Sequence, residues 1–404
     1  MNLSEVFTIT IVLTAIFAYI NARFIKWPPT IGIMVLSLVA SLLLTLMGKF
    51  FPLLSDRAVK LASSIDFRNI LMNFMLSFLL FAGAITIDAA KLRMERWPVL
   101  ALSTFGILIS TTLVGSFTWL LFQCFHLSVP FIYCLLFGTV ISPTDPIAVL
   151  AILKEAKIPS SLEHKIAGES LFNDGVAVVV FVTLMDAVKS GVSAIDVVTV
   201  GKLFLQEAVG GVLFGSLLGY LGSYTLRKVN DYKVEVLITL AMVSGGYFIA
   251  GYLHVSGPLA MVIAGIITGN KGKGAANLAK FWELIDEILN AVLFLLIGLE
   301  ILIIKVNLII LIIGMISIFV VLFARWVSVF FPILLLRFKL KFEKNTVAIL
   351  TWGGLRGGLS VALALSLGAK MYRDEFLLIT YMIVVFSILV QGLTIGGFTR
   401  RLMQ

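Results

Sequence analysis

Thirteen apolar runs, most of them 18 or more residues long, constrain the fold of this chain more than any other feature. Short charged or Pro- and Gly-rich segments separate these runs. The hydrocarbon core of a bilayer is about 30 Å thick, and an α-helix needs about 20 residues to cross it. Because 60% of the residues are hydrophobic and only 13% are charged, against about 25% charged residues in soluble domains, a soluble fold is disfavoured. The sequence predicts an all-α polytopic membrane protein of about 13 transmembrane helices.

The boundaries of the predicted spans are accurate to several residues. The first span has no basic segment before it and is followed by Arg23 and Lys26, so we expect a retained helix rather than a cleaved signal peptide. The thirteen predicted spans are 5–22, 30–47, 69–88, 97–123, 129–153, 164–186, 203–226, 234–253, 257–269, 281–300, 306–336, 346–368 and 376–398.

The distribution of basic residues predicts the orientation of the spans. The loops after odd-numbered spans and the C-terminal end hold 20 of the 31 Lys and Arg residues, whereas the loops on the opposite side hold nine. Since cytoplasmic loops carry the excess of basic residues, we expect an external N-terminus and a cytoplasmic C-terminus. About six residues follow the last span, so no soluble regulatory tail is expected, and this brevity favours a bacterial or archaeal cytoplasmic (inner) membrane.

Composition also excludes several classes of partner. The net charge of +9 does not indicate nucleic-acid binding, because the basic residues lie in short loops between apolar runs. Cys124 and Cys134 form no CxxC pair, and only three histidines are present, so the sequence predicts no cofactor and no cluster of transition-metal ligands. Membrane lipid is the expected surrounding.

Two pairs of segments indicate a faint internal repeat. Phe78–Gly83 in span 3 is similar to Phe294–Leu299 in span 10, at an offset of 216 residues. The helix-breaking centres of spans 5 and 12, Ser142–Pro146 and Gly353–Gly358, are related by an offset of 211 residues. The alternative is chance recurrence of such strings in Leu-rich helices. Interrupted helices at matching positions in two halves point to a substrate site.

An odd number of spans suits two six-helix repeats of opposite orientation joined by one linking helix. Pairing span 3 with span 10 and span 5 with span 12 makes span 7 the linker. We therefore predict a first repeat over about 5–186, a linking helix over about 203–226 and a second repeat over about 234–398, all within one transmembrane domain covering 1–404.

Span 5 is predicted to unwind near its middle. Pro143 lacks a backbone donor and disfavours helix just before it, while Asp145 followed by Pro146 has the form of an N-cap and an N1 proline that open a second half-helix. Asp145 is either a structural cap that neutralises the half-helix dipoles or a cation ligand beside freed carbonyls. One residue can serve both roles.

Span 6 carries four polar side chains in two adjacent stripes. Helical spacing puts Ser170 with Asp174 on one stripe and Glu169 with Asn173 on the next. Carboxylate, hydroxyl and carbonyl oxygens replace the hydration shell of an alkali cation, whereas soft transition metals require Cys or His. This polar wedge favours ions like Na⁺, or protons.

Each of these residues also has a structural interpretation. We expect Glu169 to form an ion pair with Arg356, which lies between glycines at the matching break and is always charged. Asn173 can instead form an interhelical hydrogen bond. Asp174 has no obvious basic partner nearby in the sequence, which leaves an ion-binding role as the stronger interpretation.

The other charged residues of the spans are assigned structural or peripheral roles. Arg325 is expected to be a further counter-charge or a tie to the backbone. The acidic residues at span ends are expected to be solvated or to line an entry funnel; these are Asp88, Glu283, Asp286, Glu287 and Glu300.

A carboxylate in a partly dehydrated cavity holds either a proton or a cation, because burial disfavours its charged form. If the site cannot cross the membrane both empty and charged, competition between H⁺ and Na⁺ produces obligatory exchange. With an amide rather than a second acid at Asn173, the count of charges favours one H⁺ per Na⁺.

Four motifs in order resemble a known family over essentially the whole chain. They are Thr144–Pro146, Glu169–Gly175, Phe281–Glu283 leading to Gly298–Glu300, and Trp352–Gly357. Together they resemble the monovalent cation/proton antiporters of the NhaP and eukaryotic sodium/proton exchanger type. The resemblance implies thirteen helices in inverted repeats, discontinuous helices 5 and 12 that cross in a core domain, a homodimer, and elevator-like motion of the six-helix core.

The same resemblance implies roles for individual residues. Asp174 is the expected ion-binding and proton-exchanging carboxylate, and Na⁺ is expected at Asp174, Asp145, Ser170 and the Thr144 backbone. Asn173 is expected to support this site. The aspartate-pair subgroup of the superfamily has an acid where this chain has Asn173, and that subgroup is electrogenic. The resemblance therefore also favours electroneutral exchange.

Three alternatives remain open at this stage. The motifs fix oxygen ligands but not cavity size, so K⁺ can replace Na⁺ (or Li⁺) as the exchanged cation. An intramembrane aspartyl enzyme using Asp145 and Asp174 lacks any protease motif around either residue, so no enzyme is expected. A cation channel could be lined by the broken helices, although opposed repeats suit alternating access better.

Overall fold

The computed structural model describes residues 3–47, 59–60, 66–145, 149–150, 153, 159–189, 197–271 and 275–403. These residues form thirteen helical spans, which confirms the predicted all-α polytopic class. We number them in chain order: α1 Leu3–Ile20, α2 Pro29–Met47, α3 Phe67–Ile85, α4 Arg96–Cys124, α5 Phe131–Ile141, α6 Ser160–Lys189, α7 Val197–Leu226, α8 Tyr232–Tyr252, α9 Gly257–Lys271, α10 Ala275–Glu300, α11 Leu308–Leu336, α12 in two halves, Thr346–Trp352 and Gly358–Leu365, and α13 Arg373–Met403.

Each predicted span coincides with one of these helices. Within the described ranges, nine of the thirteen are long and apolar enough to cross a membrane as single helices. The other four are α5 and α9, which are short, α12, which is interrupted, and α10, whose first half is rich in acidic residues. Pro146 and most of the predicted second half of span 5 lie outside the described residues.

Polar side chains at the helix starts satisfy backbone donors that lack an intrahelical partner. Asp66, Asp231 and Asn307 cap α3, α8 and α11, each accepting a hydrogen bond from a backbone N–H in the first turn. Asp88 caps the short helix Ala89–Met94 between α3 and α4. The third span was predicted to reach residue 88, but its helix ends at Ile85. Asp88 therefore lies outside the span and serves a local structural role as a cap.

Helices seven positions apart in the chain pack against each other. α3 packs on α10, α4 packs on α11, and α5 contacts the second half of α12. Other contacts occur in matching pairs: α2 packs on α10 as α9 packs on α3, and α6 packs on α4 as α13 packs on α11. Exchanging each helix with its counterpart seven positions away in the chain thus converts one contact of each pair into the other.

Lys165 fixes α6 near the end where that helix begins. Its ammonium lies 3.0 Å from Glu343, which precedes α12, and 3.4 Å from Glu95, which precedes α4. Ser161 also donates a hydrogen bond to Glu343. Burial opposes ionisation of Glu343, but hydrogen bonds from Ser161, its own backbone N–H and Lys165 outweigh burial and hold the pKa of this carboxyl below its usual value. These contacts tie α6 to two neighbouring loops.

Candidate functional site

The interruptions of α5 and α12 contact each other in the interior. The guanidinium of Arg356 donates hydrogen bonds to the backbone oxygens of Ser142, at 2.5 Å, and Pro143, at 2.9 Å. The backbone N–H of Asp145 donates to the backbone oxygen of Leu355 at 2.8 Å. These bonds satisfy polar backbone groups that an interrupted helix leaves without partners inside an apolar environment.

Glycine at position 357 allows the close approach of Asp145. A Cβ atom built on Gly357 would lie 2.5 Å from the Oδ2 atom of Asp145, closer than real Cβ contacts. The glycine-rich sequence of the α12 break therefore has a steric reason as well as a helix-breaking one. Any larger residue at this position would displace the carboxylate.

A hydrogen-bonded chain from α13 holds the α12 break in place. The backbone N–H of Arg356 donates to the hydroxyl of Ser387, which donates to Gln391, and Gln391 donates to the backbone oxygen of Trp352. Ser387 and Gln391 lie in a π-helical segment of α13, Ser387–Gly392. A π-helical turn often marks a functional region, and here it supports the segment that carries Arg356.

Thr144, Ser170 and Asn173 form one buried hydrogen-bonded group. The Thr144 and Ser170 hydroxyl oxygens are 3.1 Å apart, and the Asn173 side-chain amide donates to the Thr144 hydroxyl at 3.0 Å. The Asn173 side-chain oxygen has no hydrogen-bond partner among the described residues. The structure thus brings these three predicted residues together, and it does so through the side chain of Thr144.

Asp145 and Asp174 line one cavity of about 100 Å³ beside this group. Both carboxylates are half-buried. Leucines of α3 and glycines of α12 form much of the apolar wall. The polar lining residues are Thr144, Asp145, Asp174, Asp286, Asn290 and Ser360.

The predicted ion pair between Glu169 and Arg356 is wrong. Glu169 instead pairs with Arg325 of α11, with two contacts of 2.5 and 3.0 Å between the guanidinium and the carboxylate. Glu169 is 1% exposed and Arg325 6% exposed, so this is a buried, bidentate pair. Arg356 lies nearby but uses its guanidinium on the α5 carbonyls.

Arg325 has a second structural role, as the sequence predicts. Its guanidinium donates to the backbone oxygen of Leu350 at 3.2 and 3.3 Å, near the end of the first half of α12. Positive charge at the C-terminal end of a helix is favourable. The sequence signal for this role was one arginine inside the very apolar span 11, where a charge requires a partner.

The acidic residues predicted at span ends separate into different environments. Glu283 and Glu287 of α10 are exposed, whereas Glu300, at the end of the same helix, is buried, so the expected solvated position is wrong for Glu300. Asp286 is half-buried and lines the cavity that contains Asp145 and Asp174. Of the two roles predicted for this group, Asp286 has the lining role.

Sequence reasoning missed two further polar residues of the cavity, Asn290 and Ser360. Asn290 lies one helical turn after Asp286, a spacing that could have identified a polar stripe on α10. Ser360 lies just after the α12 break, in the first turn of the second half-helix. A single serine in an apolar helix gives no signal of its own.

The donors at this site are chemically hard oxygens. No group of three or more His, Cys, Asp or Glu side chains suited to a metal ion occurs in the ranges that the structure describes. Carboxylate and hydroxyl oxygens on adjacent helices provide ligands of the kind that alkali cations require. The cavity therefore suits a monovalent cation or a proton.

The revised ion pairing predicts a specific pattern of rescue. Arg325→Met leaves Glu169 buried without its partner, which costs about 3–5 kcal/mol. We expect Arg325→Met to lower the midpoint of thermal unfolding in detergent, and a second substitution, Glu169→Gln, to restore part of the loss. As a matched control, Glu169→Gln should not restore the stability of Arg356→Met. Rescue of the Arg356 variant alone would contradict this assignment.

Known proteins of one family are similar to this chain over nearly its whole length. A family profile described as "Sodium/hydrogen exchanger, transmembrane" matches residues 11–401. The Na(+)/H(+) antiporter NhaP of Pseudomonas aeruginosa is 47% identical over 404 residues, covering 97% of this chain and 95% of that protein. The Na(+)/H(+) antiporter NhaH of Halobacillus dabanensis is 33% identical over 395 residues, covering 94% of this chain and 93% of its own.

A solved structure has the same fold. The sodium proton antiporter MjNhaP1 from Methanocaldococcus jannaschii, determined at pH 8, superposes with a TM-score of 0.78 over the whole of both chains, at 18% sequence identity. This likeness supports the fold, and the profile and the sequence relatives identify the family. The chain belongs to the transmembrane sodium/hydrogen exchanger family.

Proposed function

We propose that this chain exchanges Na⁺ or Li⁺ for H⁺ across the membrane by alternating access. The observation that carries this proposal is the cavity in which Asp174 and Asp145 converge beside the contacting breaks of two helices. Its relatives in Pseudomonas aeruginosa and Halobacillus dabanensis are named Na⁺/H⁺ antiporters, which favours Na⁺ over K⁺ as the exchanged cation. Family membership supports a transporter rather than an enzyme.

Asp174 is proposed to hold either the cation or the proton. It lies on a continuous helix, α6, one turn after Ser170, and it lines the same cavity as Thr144. Together with Asp145, the oxygens of Thr144 and Ser170 can replace part of the hydration shell of Na⁺. A protonated Asp174 has no charge to hold the cation, so the two ligands exclude each other.

The charges around Asp174 favour exchange of one Na⁺ for one H⁺. Glu169 is neutralised by Arg325. Asp145 and Arg356 contribute one negative and one positive charge at the contact between the two helix breaks. Asn173 adds no charge. Asp174 is then the one carboxylate of this set whose charge is left over, and one Na⁺ or one H⁺ balances it.

The packing of the helices supports the proposal of two inverted repeats. Contacts within α1–α6 have counterparts within α8–α13, and α7 is left as the linking helix. A site at the interface of two such repeats can be exposed to either side by rocking or sliding of one group of helices. We propose that α5 and α12 form the core of the moving part.

We also propose that the chain forms a homodimer, as the resemblance implies. α1 and α7 are the least buried of the long helices, with 22% and 17% of their membrane-spanning windows buried. Large apolar side chains are exposed on both, including Phe7, Leu213 and Leu217. These faces suit contact with lipid and with a second copy of the chain.

Transport in liposomes tests the function and the site together. With an imposed pH gradient and a trapped pH dye, we expect Na⁺ or Li⁺ to collapse the gradient in vesicles containing the wild-type protein. Clamping the voltage with valinomycin should not change the rate, because the proposed cycle moves no net charge. Asp174→Asn should abolish the response, whereas Asp186→Asn, an exposed acid on the same helix, should leave it intact.

Three outcomes would contradict parts of this proposal. A response to K⁺ alone would keep the exchange mechanism and change the cation. Exchange driven by voltage would contradict the 1:1 stoichiometry. A gradient that no cation collapses, in vesicles that hold folded protein, would reject antiport.

The proposed orientation is an external N-terminus and a cytoplasmic C-terminus in the cytoplasmic membrane, and the two cysteines provide a test. Cys124 is exposed at the end of α4, and Cys134 is buried. Cys124 follows four spans, α1–α4, counted from the external N-terminus, so its thiol should face the outside. We expect a membrane-impermeant maleimide to label intact cells, and Cys124→Ser to remove the label. Labelling only after the cells are broken would reverse the orientation.

A further inference from the structure

The cavity has more room than one ion at Asp174 requires. Its volume is about 100 Å³, whereas one water position takes about 10–15 Å³ by the corresponding measure. The cavity extends away from α5 and α6 towards α10 and the second half of α12. Several oxygen ligands or waters can therefore occupy it beyond the proposed ion position.

The wall formed by α10 carries a carboxylate and an amide. Asp286 is half-buried, and Asn290 is 1% exposed. The side-chain N–H of Asn290 donates to the backbone oxygen of Asp286 at 2.8 Å, which leaves the Asn290 side-chain oxygen as an acceptor. No ion pair of Asp286 occurs among the described residues. A negative charge inside a membrane protein requires a partner or a function.

The wall formed by α12 carries an unpartnered hydroxyl. Ser360 is 0% exposed, lines the cavity, and its hydroxyl has no hydrogen-bond partner in the part of the chain that the structure describes. Buried hydroxyl groups are normally paired, because an unmade hydrogen bond is costly. Ser366, later in the same segment, is paired with the backbone oxygen of Ala362. The free acceptor at Ser360 therefore points to a ligand.

We infer that Asp286 and Ser360, supported by Asn290, form a second monovalent-cation subsite in this cavity. One carboxylate and two neutral oxygens match a single positive charge and the hard-oxygen preference of Na⁺. The inference rests on the proposed function, since the subsite would deliver the ion to Asp174. The subsite also adds Ser360 of α12 to the route of the cation.

Asp286 lies in the half of α10 that is nearer to the start of the helix. Asp286 is 11 residues into a helix of 26 residues, or about 17 Å along its axis. Asn290 and Leu293 continue the same cavity wall further along the helix. By the predicted orientation, α10 begins on the cytoplasmic side. A cation entering from there would meet Asp286 before it reaches Asp174.

The combined negative charge of the carboxylates provides a reason for transfer of the cation between the two positions. Asp286 and Asp145 line the same cavity. Their combined negative potential attracts a cation into the cavity, and apolar walls strengthen this attraction. Once an ion is bound at Asp174 and Asp145, that potential falls, so the outer position holds a second cation less tightly.

Exchange kinetics from each face of the membrane test the subsite. We expect Asp286→Asn to raise the KM for Na⁺ added at the cytoplasmic face about tenfold, with the maximal rate within about twofold of wild type. Ser360→Ala should raise the same KM about threefold, since a neutral ligand contributes less. The double variant should raise KM by less than the product of the two effects, because both side chains hold one ion.

Matched controls separate the subsite from general effects on structure or surface charge. Glu287→Gln removes a neighbouring exposed acid, and Ser366→Ala removes a hydroxyl that already has a partner. Neither should change the KM for Na⁺, and Asp286→Glu should restore most of the affinity lost in Asp286→Asn. An unchanged KM in Asp286→Asn, or an equal rise from both faces, would overturn the inference.

A binding measurement tests the subsite without relying on transport. In Asp174→Asn, which lacks the proposed inner carboxylate, NaCl should still raise the thermal unfolding midpoint relative to N-methylglucamine chloride at equal ionic strength. This increment should vanish in Asp174→Asn/Asp286→Asn. Absence of the increment in Asp174→Asn would overturn the subsite. Its presence in a protein whose wild type shows no exchange would reject the proposed function and keep the cation site.

Discussion

The contact between the two helix breaks is the interaction on which the rest of the site depends. An interrupted helix inside a membrane leaves backbone groups without partners, and each such group is costly where no water is available. Arg356 satisfies two carbonyls of the α5 break, and the Asp145 and Leu355 backbones bond to each other. Because this contact holds the breaks open, the Thr144 hydroxyl can reach α6, and Asp145 can line the cavity that contains Asp174.

Neutralisation of the surrounding charges is the second constraint. Buried Glu169 and Arg325 form a bidentate pair, and the same arginine stabilises the end of the first half of α12. This pair connects α6, α11 and α12 without adding net charge near the cavity. The account of electroneutral exchange depends on this cancellation, since among Asp145, Glu169 and Asp174 it leaves Asp174 as the carboxylate whose charge a proton or a cation must balance.

Much of the fold could be predicted, because transmembrane helices require long apolar runs and Pro143 and the α12 glycines disrupt helices. The wedge of Ser170, Asn173 and Asp174 was predictable from helical periodicity. The partner of Glu169 was not, since the sequence offered two buried arginines, and only packing brings Arg325 to it. Ser360 was unpredictable for a similar reason: its significance lies in the missing partner for its hydroxyl, which a sequence does not record.

Proton release on Na⁺ binding tests most directly the central claim that one carboxylate holds either a proton or a cation. Titration calorimetry of the purified protein with NaCl, repeated in buffers of different ionisation enthalpy, gives the number of protons released per bound ion. At pH values below the pKa of the ion-binding carboxylate, the account predicts that close to one proton is released per bound Na⁺. In the same range, the Na⁺ affinity should fall about tenfold for each unit by which the pH is lowered. Binding without proton release, with an affinity independent of pH, would contradict it.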